Sequence, residues 1–501
     1  MSSSVTLPFW LVVVIAILAA LALLDRLLIP SVRWALRRRA NRAIDELNTR
    51  LKLHIQPFKF TKRQVLIDRL TFDPEVLNAA EEYAKEAGVP REIAMEKVKR
   101  YAREIVPSFS AYAYFRIGTR LARRVSQMLY RVRIGFKNDE ALKNVDPTSS
   151  VVFVINHRSN MDYVLVTYVA ASSSALSYAV GEWAQIWGLR GLIKSMGAFF
   201  IRRDSRDALY RKVLARYVHM ATAAGVVQAI FPEGGLSRDG RLRPPKFGLL
   251  SYMVAGFDPQ APKDVVFIPV GINYDRVLED RMLTSAAAAE PGKKPVFGFN
   301  LPIFMRHFFR HLSMAARGQW YRFGYTCVSF GEPVSLRKYL ADKSIDFRTL
   351  SADVRHAEIE KLGHRLMEGV GRVVPALPVS LVSTALLQAG DKPLTLFELK
   401  GRVFDLITRL EASGAYVHIP RADRDYAIEV GLRMLKLRHL VTENDEGFRA
   451  DPQELMLLRY YANAIAHLFA ETPSSTQVVA LPEPARPAPI DTFEDRLRAK
   501  N

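Results

Sequence analysis

Residues 149–162, SSVVFVINHRSNMD, decide the fold of this chain. The stretch 149–155 is an apolar run rich in β-branched side chains, and the polar turn formers that follow it predict a buried strand that ends there. Ser159 and Asp162 have the spacing of a capping box, which predicts a helix that starts at Ser159. His157 then lies at the corner between strand and helix, and Asp162 lies one turn into the helix.

This corner is a candidate catalytic site. Open α/β folds build their active sites at the carboxyl ends of sheet strands. An imidazole at His157 can take a proton from a hydroxyl, and a carboxylate at Asp162 can fix its tautomer and stabilise its charged form. A single His-x-x-x-x-Asp pattern arises often by chance, so the hypothesis needs support from other segments.

Three further segments supply that support, and they follow in a fixed order. Residues 197–204, GAFFIRRD, predict a strand that ends in cations. Residues 231–241, FPEGGLSRDGR, predict a strand exit into a glycine-rich turn, and residues 265–271, VVFIPVG, predict another apolar strand. From about residue 141 to 345 strands alternate with helices, which predicts an α/β fold with a mostly parallel sheet and covering helices.

Together with residues 157–162, these segments resemble the four signature blocks of the glycerolipid acyltransferases. They are most similar to those of the membrane-bound glycerol-3-phosphate and dihydroxyacetone-phosphate acyltransferases. The likeness continues in residues 245–248, PKFG, and residues 457–463, LLRYYAN, so it covers roughly residues 100 to 470. It implies transfer of a fatty acyl group from an acyl thioester to the sn-1 hydroxyl of glycerol-3-phosphate in phospholipid synthesis. The alternative is acylation of lysophosphatidic acid, since that sibling family shares the four blocks.

The chemistry that we expect is direct transfer, because a thioester is already activated and needs no nucleophilic serine or cysteine. His157 would act as the general base on the acceptor hydroxyl, with Asp162 orienting its ring. The glycine-rich turn could supply N–H donors for the tetrahedral oxyanion. The residues that we expect to bind the acceptor are Arg203, Glu233, Gly234, Gly235, Ser237, Arg238 and Lys246.

The phosphate clamp carries one departure from the family pattern. Guanidinium groups bind phosphate oxygens bidentately, which suits Arg203 and Arg238. Arg202 and Arg203 are adjacent on a strand and point to opposite faces, and the family pattern selects Arg203. This chain has Leu236 where the family has a further arginine, so the identity of the acceptor stays open between glycerol-3-phosphate and a more hydrophobic molecule.

Composition points to a membrane and to no cofactor or metal. The formal net charge is +20, and residues 7–24 are eighteen consecutive uncharged positions followed by a cluster of arginines. This order predicts a transmembrane anchor in the cell (inner) membrane, with the rest of the chain cytoplasmic. A cleaved signal peptide would normally carry its charge before the apolar run. The histidines are scattered, without the spacing that is typical of metal ligands. The single cysteine, Cys327, is predicted to be a thiol packed in the core rather than a nucleophile.

The expected partners follow from this assignment. They are an acyl thioester donor, a phosphorylated glycerol acceptor and anionic membrane lipids. Acyl-CoA and acyl carrier protein both stay open as the source of the acyl group, and neither is a bound cofactor. Two basic stretches, residues 116–137 and 303–311, mix cations with apolar side chains. The first predicts an amphipathic helix, which lies either on the membrane surface or on the catalytic core. The second predicts an interfacial loop or helix, although core packing could also use its phenylalanines.

The domain organisation that we predict has five parts. Residues 1–45 form the anchor and a basic stop, residues 46–140 a helical region, and residues 141–345 the catalytic domain. Residues 375–470 form a C-terminal helical domain, and residues 471–501 a proline-rich, disordered tail.

Two other classes of function fit parts of the pattern. A hydrolase could use the same histidine and aspartate, but it would need a metal or a serine nucleophile, and no Gly-x-Ser-x-Gly elbow occurs. A basic scaffold or nucleic-acid binder would explain the charge, but it would leave the four blocks without a role.

Overall fold

The structure is a computed structural model that describes residues 55–170, 175–181, 189–202, 205–288 and 322–469. The predicted anchor and basic stop (1–45), the basic stretch 303–311 and the predicted tail (471–501) lie outside these residues. Within the described part of the chain, no helix combines the length and the apolar character that crossing a membrane requires.

The described strands build one mixed sheet of eight, with a separate two-stranded hairpin near the C-terminal end. The sheet strands are β1 (Arg131–Lys137), β2 (Ser150–Ile155), β3 (Ser177–Gly181), β4 (Phe199–Ile201), β5 (Gln228–Ile230), β6 (Val265–Tyr274), β7 (Tyr325–Phe330) and β8 (Val334–Ser335). Their order is β1-β7-β6-β2-β5-β3-β4, and β8 also pairs with β6. Pairing is parallel except between β6 and its neighbours β7 and β8. The predicted α/β class with a mostly parallel sheet is confirmed.

Helices precede the sheet, connect its strands and form the C-terminal region. Those before and within the catalytic domain are α1 (Pro57–Phe60), α2 (Arg63–Thr71), α3 (Pro74–Ala87), α4 (Arg91–Ile105), α5 (Thr119–Leu129), α6 (Asp139–Lys143), α7 (Met161–Ala170), α8 (Leu189–Ser195), α9 (Ala208–Ala223), α10 (Gly248–Val254) and α11 (Asp280–Ala288). A π-helical segment, Ala113–Gly118, leads into α5. The main core lies between the first helices, the sheet and α9.

The start of α3 is set by local capping. The carboxylate of Asp73 accepts the N–H of Glu75 at 3.0 Å, and Pro74 occupies the first helical position. The helix ends at Gly88, which has φ +62°, and α4 begins after Pro90. Both boundaries are thus set by residues close to them in the sequence.

The predicted amphipathic helix over residues 116–137 is wrong in its second half. The chain is helical only to Leu129, and Arg131–Lys137 is strand β1, parallel to β7. Alternation of cations with Val132 and Ile134 has the period of two that a strand requires. The edge of β7 supplies the hydrogen-bonding partner for it. The sheet therefore begins inside the region that the sequence predicts to be helical.

The C-terminal region is helical, as predicted. Its elements are α12 (Leu336–Lys343), α13 (Ala352–Arg372), α14 (Pro378–Ala389), α15 (Leu396–Ala412), α16 (Arg424–Lys436), the hairpin β9 (Val441–Asn444) and β10 (Gly447–Ala450), and α17 (Leu455–Ala466). Helix α14 is central and packs against α15, α16 and α17. Helix α17 also contacts α11 of the catalytic domain, which brings the C-terminal region to the site.

Candidate active site

The strand-to-helix corner after β2 is held in place by an asparagine. The side-chain amide of Asn156 donates to the carbonyl of Ile272 at 2.9 Å, and its oxygen accepts the N–H of the same residue at 2.8 Å. Both bonds are buried and bind the end of β2 to the adjacent strand β6. They fix the position from which His157 leaves the sheet.

His157 and Asp162 form the pair that the sequence predicts. The Nδ1 atom of His157 lies 2.9 Å from Oδ2 of Asp162, and both side chains are almost fully buried. Among the described residues, Nε2 of His157 has no hydrogen-bond partner. A proton on Nδ1, donated to the carboxylate, leaves Nε2 as an unused proton acceptor.

Four donors surround the carboxylate of Asp162. Besides His157, its Oδ2 accepts the backbone N–H groups of Arg158 at 2.7 Å and Ser159 at 3.0 Å. Its Oδ1 accepts the hydroxyl of Tyr274 at 2.6 Å. These bonds fix the position and orientation of both carboxylate oxygens. The arrangement gives the imidazole a fixed anionic partner.

The capping box is formed only in part, and α7 begins at Met161 rather than at Ser159. Asp162 does accept the N–H of Ser159, which is the acidic half of the motif. The hydroxyl of Ser159 instead donates to Glu279 at 2.7 Å and accepts the N–H of Met161 at 3.1 Å. A buried carboxylate from a distant segment thus joins the cap, where it also accepts the N–H of Asn160 at 3.2 Å.

Aromatic rings enclose the imidazole. The ring of Phe231 lies 4.4 Å from that of His157 between centroids, and the ring of Tyr163 lies edge-on at 5.4 Å. Tyr163 also packs against Tyr178 of β3. Rings at these distances restrict the rotation of the imidazole and keep the base in a setting of low polarity.

Glu233 is a buried carboxylate beside the base. It is 2% exposed and accepts the N–H of His157 at 2.9 Å and that of Arg243 at 3.2 Å, one on each oxygen. Burial raises the pKa of its carboxyl group to about 7, against the opposing effect of these backbone bonds. In the structure its direct contacts are thus with the backbone that carries His157.

The glycine-rich turn is built around Gly234, which has φ +66°. Its N–H donates to the carbonyl of Phe231 at 3.0 Å, so that donor is already used. A Cβ atom on Gly234 would lie 2.7 Å from Cδ of Lys246, whose aliphatic stem covers the turn.

Gly235 is buried, and its N–H has no acceptor within the described residues. Ser237 is buried, donating its N–H to the carbonyl of His157 at 3.1 Å and its hydroxyl to that of Arg241 at 2.7 Å.

The predicted phosphate-binding cations lie at the solvent edge of this turn. Arg238 and Lys246 are both exposed. Arg203 lies outside the described residues. Arg202 makes a bidentate ion pair with Glu104 of α4, with Nε–Oε1 at 2.9 Å and Nη2–Oε2 at 2.6 Å. This contact agrees with the prediction that Arg202 turns away from the site.

Sequence reasoning missed a buried arginine next to the base. Arg158 is 3% exposed, donates to the carbonyl of Gly240 and lies 4.9 Å from the ring centroid of Tyr460. Its Nε and Nη2 atoms have no partner among the described residues. The available signal was its position inside the block, between the histidine and the serine.

The C-terminal region reaches the glycine-rich segment through α17. Gly240 has φ +88°, and a Cβ atom there would lie 1.9 Å from the carbonyl oxygen of Tyr460. The side chain of Asn463 donates to the carbonyl of Asp239 at 2.8 Å. Residues 457–463 thus brace the loop that runs on from the turn.

Two regions of the chain match known protein families. Residues 133–273 match the family described as "Acyltransferase". They include β2, the His157–Asp162 pair and the glycine-rich turn, so the fold and the site are those of an acyltransferase domain. Residues 309–479 match the family described as "Glycerol-3-phosphate acyltransferase C-terminal region". Both matches support the glycerol-3-phosphate acyltransferase family as the family of this chain.

Curated relatives agree with this placement. The chain is 30% identical over 425 residues to a glycerol-3-phosphate acyltransferase of Ectopseudomonas mendocina, a match that covers 81% of this chain and 49% of the relative. It is 28% identical over 427 residues to the enzyme of that name from Pseudomonas syringae pv. syringae, with the same coverage. The chain spans about half the length of the curated relatives it matches.

A solved structure also matches. It is a 1-acyl-sn-glycerophosphate acyltransferase from Thermotoga maritima, at 16% identity and a TM-score of 0.29, and the match covers 61% of this chain and 97% of that one. A likeness at that TM-score carries no argument about this chain.

Proposed function

We propose that this chain is a glycerol-3-phosphate O-acyltransferase, which moves a fatty acyl group from an acyl thioester to the sn-1 hydroxyl of glycerol-3-phosphate in phospholipid synthesis. The curated relatives that match most of this chain are named glycerol-3-phosphate acyltransferase. The observation that carries the proposal is the buried Nε2 of His157, which has no partner in the described part of the chain while Nδ1 faces Asp162.

The reaction begins with proton removal. Nε2 of His157 takes the proton of the acceptor hydroxyl as its oxygen attacks the thioester carbonyl carbon. The resulting imidazolium stays paired with Asp162, whose charge is held by its four donors. Collapse of the tetrahedral intermediate breaks the carbon–sulfur bond, and the leaving thiolate receives the proton back from Nε2.

The oxyanion of that intermediate needs N–H donors aimed at it. The N–H of Gly234 donates within its own turn, so it is not a candidate. The N–H of Gly235 has no acceptor in the described residues, which supports it as a donor. The two backbone bonds of Glu233 support a role in holding this loop against His157.

The acceptor phosphate is bound, in this proposal, at the exposed edge of the turn. Arg238 and Lys246 supply positive charge there, and Arg203 joins them by family resemblance. Gly234 and Ser237 shape the loop that carries Arg238. The acyl donor is acyl-CoA or acyl carrier protein, used as a co-substrate, and no cofactor or metal takes part in the steps.

The catalytic domain works at the cytoplasmic face of the inner membrane in this proposal. Supporting it, three exposed apolar side chains follow one another here: Tyr112 just before the π-helical segment, Ile117 within it and Leu121 on α5 are 69%, 46% and 49% exposed. The exposed cations Arg116 and Arg124 lie on the same elements. Apolar side chains beside cations favour contact with an anionic bilayer.

A flotation assay tests the membrane part. A chain without residues 1–30 should float less completely with neutral vesicles, yet it should still bind anionic vesicles at low salt. If this shortened chain does not bind anionic vesicles, the surface formed by Tyr112, Ile117 and Leu121 is not a membrane contact.

An acceptor panel tests the chemistry. A radiolabelled acyl thioester is offered with glycerol-3-phosphate, dihydroxyacetone phosphate or lysophosphatidic acid. The proposal predicts the highest kcat/KM for glycerol-3-phosphate and a 1-acyl product. Preference for lysophosphatidic acid would overturn the proposed acceptor, and the position of Leu236 would then explain it.

A further inference from the structure

A cavity lies apart from the proposed acyltransfer site. It has a volume of about 200 Å³ and is formed where α1 and α2 meet the amino ends of β3 and β4. Its wall includes Lys59, Lys62, Arg63, Phe109, Ser177 and Gly197. Among the described residues, the wall of the cavity contains three cationic side chains and no carboxylate.

Lys59 is the most deeply buried cation in the wall of this cavity. It is 8% exposed, and its ammonium group donates to the carbonyl of Ala175 at 2.6 Å and lies 4.7 Å from the ring centroid of Phe109. Ala175 is its one hydrogen-bond acceptor among the described residues, although an ammonium group carries three donors. An ammonium buried without an anionic partner is destabilising, because it has lost its hydration. Burial lowers the pKa of Lys59 to about 7.

Two neighbours add positive charge. Lys62 is exposed, and Arg63 is half-buried. Arg63 donates from Nε to the carbonyl of Val106 at 3.1 Å and from Nη2 to that of Arg103, so its charge is held in place. The rest of the wall combines apolar side chains, Leu66 among them, with the hydroxyl-bearing side chains of Thr61, Ser108 and Ser177. The cavity thus combines fixed cations with carbon surface.

Sheet topology separates this cavity from the base. Ser177 is the first residue of β3, and Gly197 precedes β4, so the cavity lies at the amino ends of parallel strands. His157 follows the carboxyl end of β2, which runs parallel to β5, as β3 does. The two sites therefore lie at opposite ends of the parallel strands.

We propose that this cavity binds the anion of a phosphate ester, with Lys59 beneath the phosphate and Lys62 and Arg63 beside it. The volume accommodates a phosphate and a short carbon fragment, and it is too small for a whole fatty acyl chain. Apolar wall residues contact the carbon part. A lipid headgroup and a free phosphate share this chemistry. The inference does not depend on the acyltransfer reaction.

The test is thermal unfolding of the full chain in detergent. Each protein is heated with inorganic phosphate, with phosphatidic acid in mixed micelles, or with chloride and phosphatidylcholine micelles at equal ionic strength. A ligand that binds the folded state raises Tm. The variants are Lys59→Met, Lys62→Gln and the control Lys99→Met, which removes an exposed lysine from α4.

The wild type and Lys99→Met should show the same rise in Tm, and Lys59→Met should lose at least half of it. If this loss is seen with either ligand or with both, it supports the site. The ligands concerned show whether the cavity binds free phosphate, a lipid headgroup or both. Lys62→Gln keeps the test decisive if Lys59→Met does not fold, because Lys62 is exposed; it should lose part of the rise. Equal responses in all four proteins, or no response to either ligand, would overturn the proposal.

Discussion

The hydroxyl of Tyr274 donates to Oδ1 of Asp162 at 2.6 Å, and Oδ2 of the same carboxylate faces Nδ1 of His157 at 2.9 Å. Burial raises the pKa of Tyr274 well above its usual value, so the phenol stays a donor throughout the physiological range. The tyrosine on β6 therefore fixes the carboxylate that in turn fixes the base. The pair is held from two strands at once.

This network predicts a graded pair of variants. Asp162→Asn should lower kcat at least about a hundredfold, because an amide can donate to Nδ1 and stabilise the wrong tautomer of His157. Tyr274→Phe should lower kcat much less and reduce the free energy of unfolding by about 1–2 kcal/mol, the loss of one buried hydrogen bond. Steady-state kinetics and urea unfolding check both. Equal loss of kcat in the two variants would contradict this order.

Glu233 predicts a pH dependence of stability. Its folded-state pKa is raised to about 7 from 4.5, so the folded chain binds a proton that the unfolded chain releases. The resulting stabilisation is complete below about pH 4.5 and is lost as pH rises through 7. The free energy of unfolding of the wild type, minus that of Glu233→Gln, should therefore fall by at most about 3 kcal/mol across this window. Urea unfolding at several pH values measures it, and a difference that rises with pH would contradict the sign.

The contact between the catalytic loop and α17 predicts a role for Gly240. Gly240→Ala should lower both Tm and kcat, because its Cβ would meet the carbonyl of Tyr460 at 1.9 Å and its φ of +88° disfavours alanine. Gly401→Ala is the control, since nothing lies within 4 Å of a Cβ there and α15 is helical. It should be neutral or slightly stabilising. A Gly240→Ala enzyme with unchanged Tm and kcat would show that this contact is dispensable.

The phosphate clamp predicts effects on one substrate only. Arg238→Ala should raise the KM for glycerol-3-phosphate far more than that for the thioester. Arg202→Ala should leave the acceptor KM nearly unchanged, because its guanidinium is bound to Glu104. Leu236→Arg should lower the acceptor KM by restoring the cation of the family pattern. Initial rates at varied substrate check all three. If Leu236→Arg abolishes activity, the pocket at that position is apolar and the acceptor is more hydrophobic.

Local pattern was enough to predict strands β2 and β6 and the pair at the site. Strands β2 and β6 are continuous apolar runs rich in β-branched residues, and they fold as predicted. Cys327 lies buried in β7, and burial raises the pKa of its thiol, as suits a core residue. His157 and Asp162 meet because the strand end and the first helical turn fix their separation.

What the sequence could not show depends on partners distant along the chain. The hydroxyl of Ser159, which precedes α7, also binds Glu279, far along the chain. The burial of Arg158 depends on Tyr460, from the C-terminal region. Strand β1 becomes a strand because β7 offers it an edge, whereas its cations alone also fit a basic helix.

The most direct measurement is the turnover of His157→Ala with a labelled acyl thioester and glycerol-3-phosphate. His356→Ala on α13 is the matched control, because that histidine is exposed and pairs only with Glu360 among the described residues. The account predicts a folded His157→Ala protein whose kcat is at least about a hundredfold below that of the wild type and of the control. Turnover near the wild-type rate in folded His157→Ala would contradict the assignment of the base.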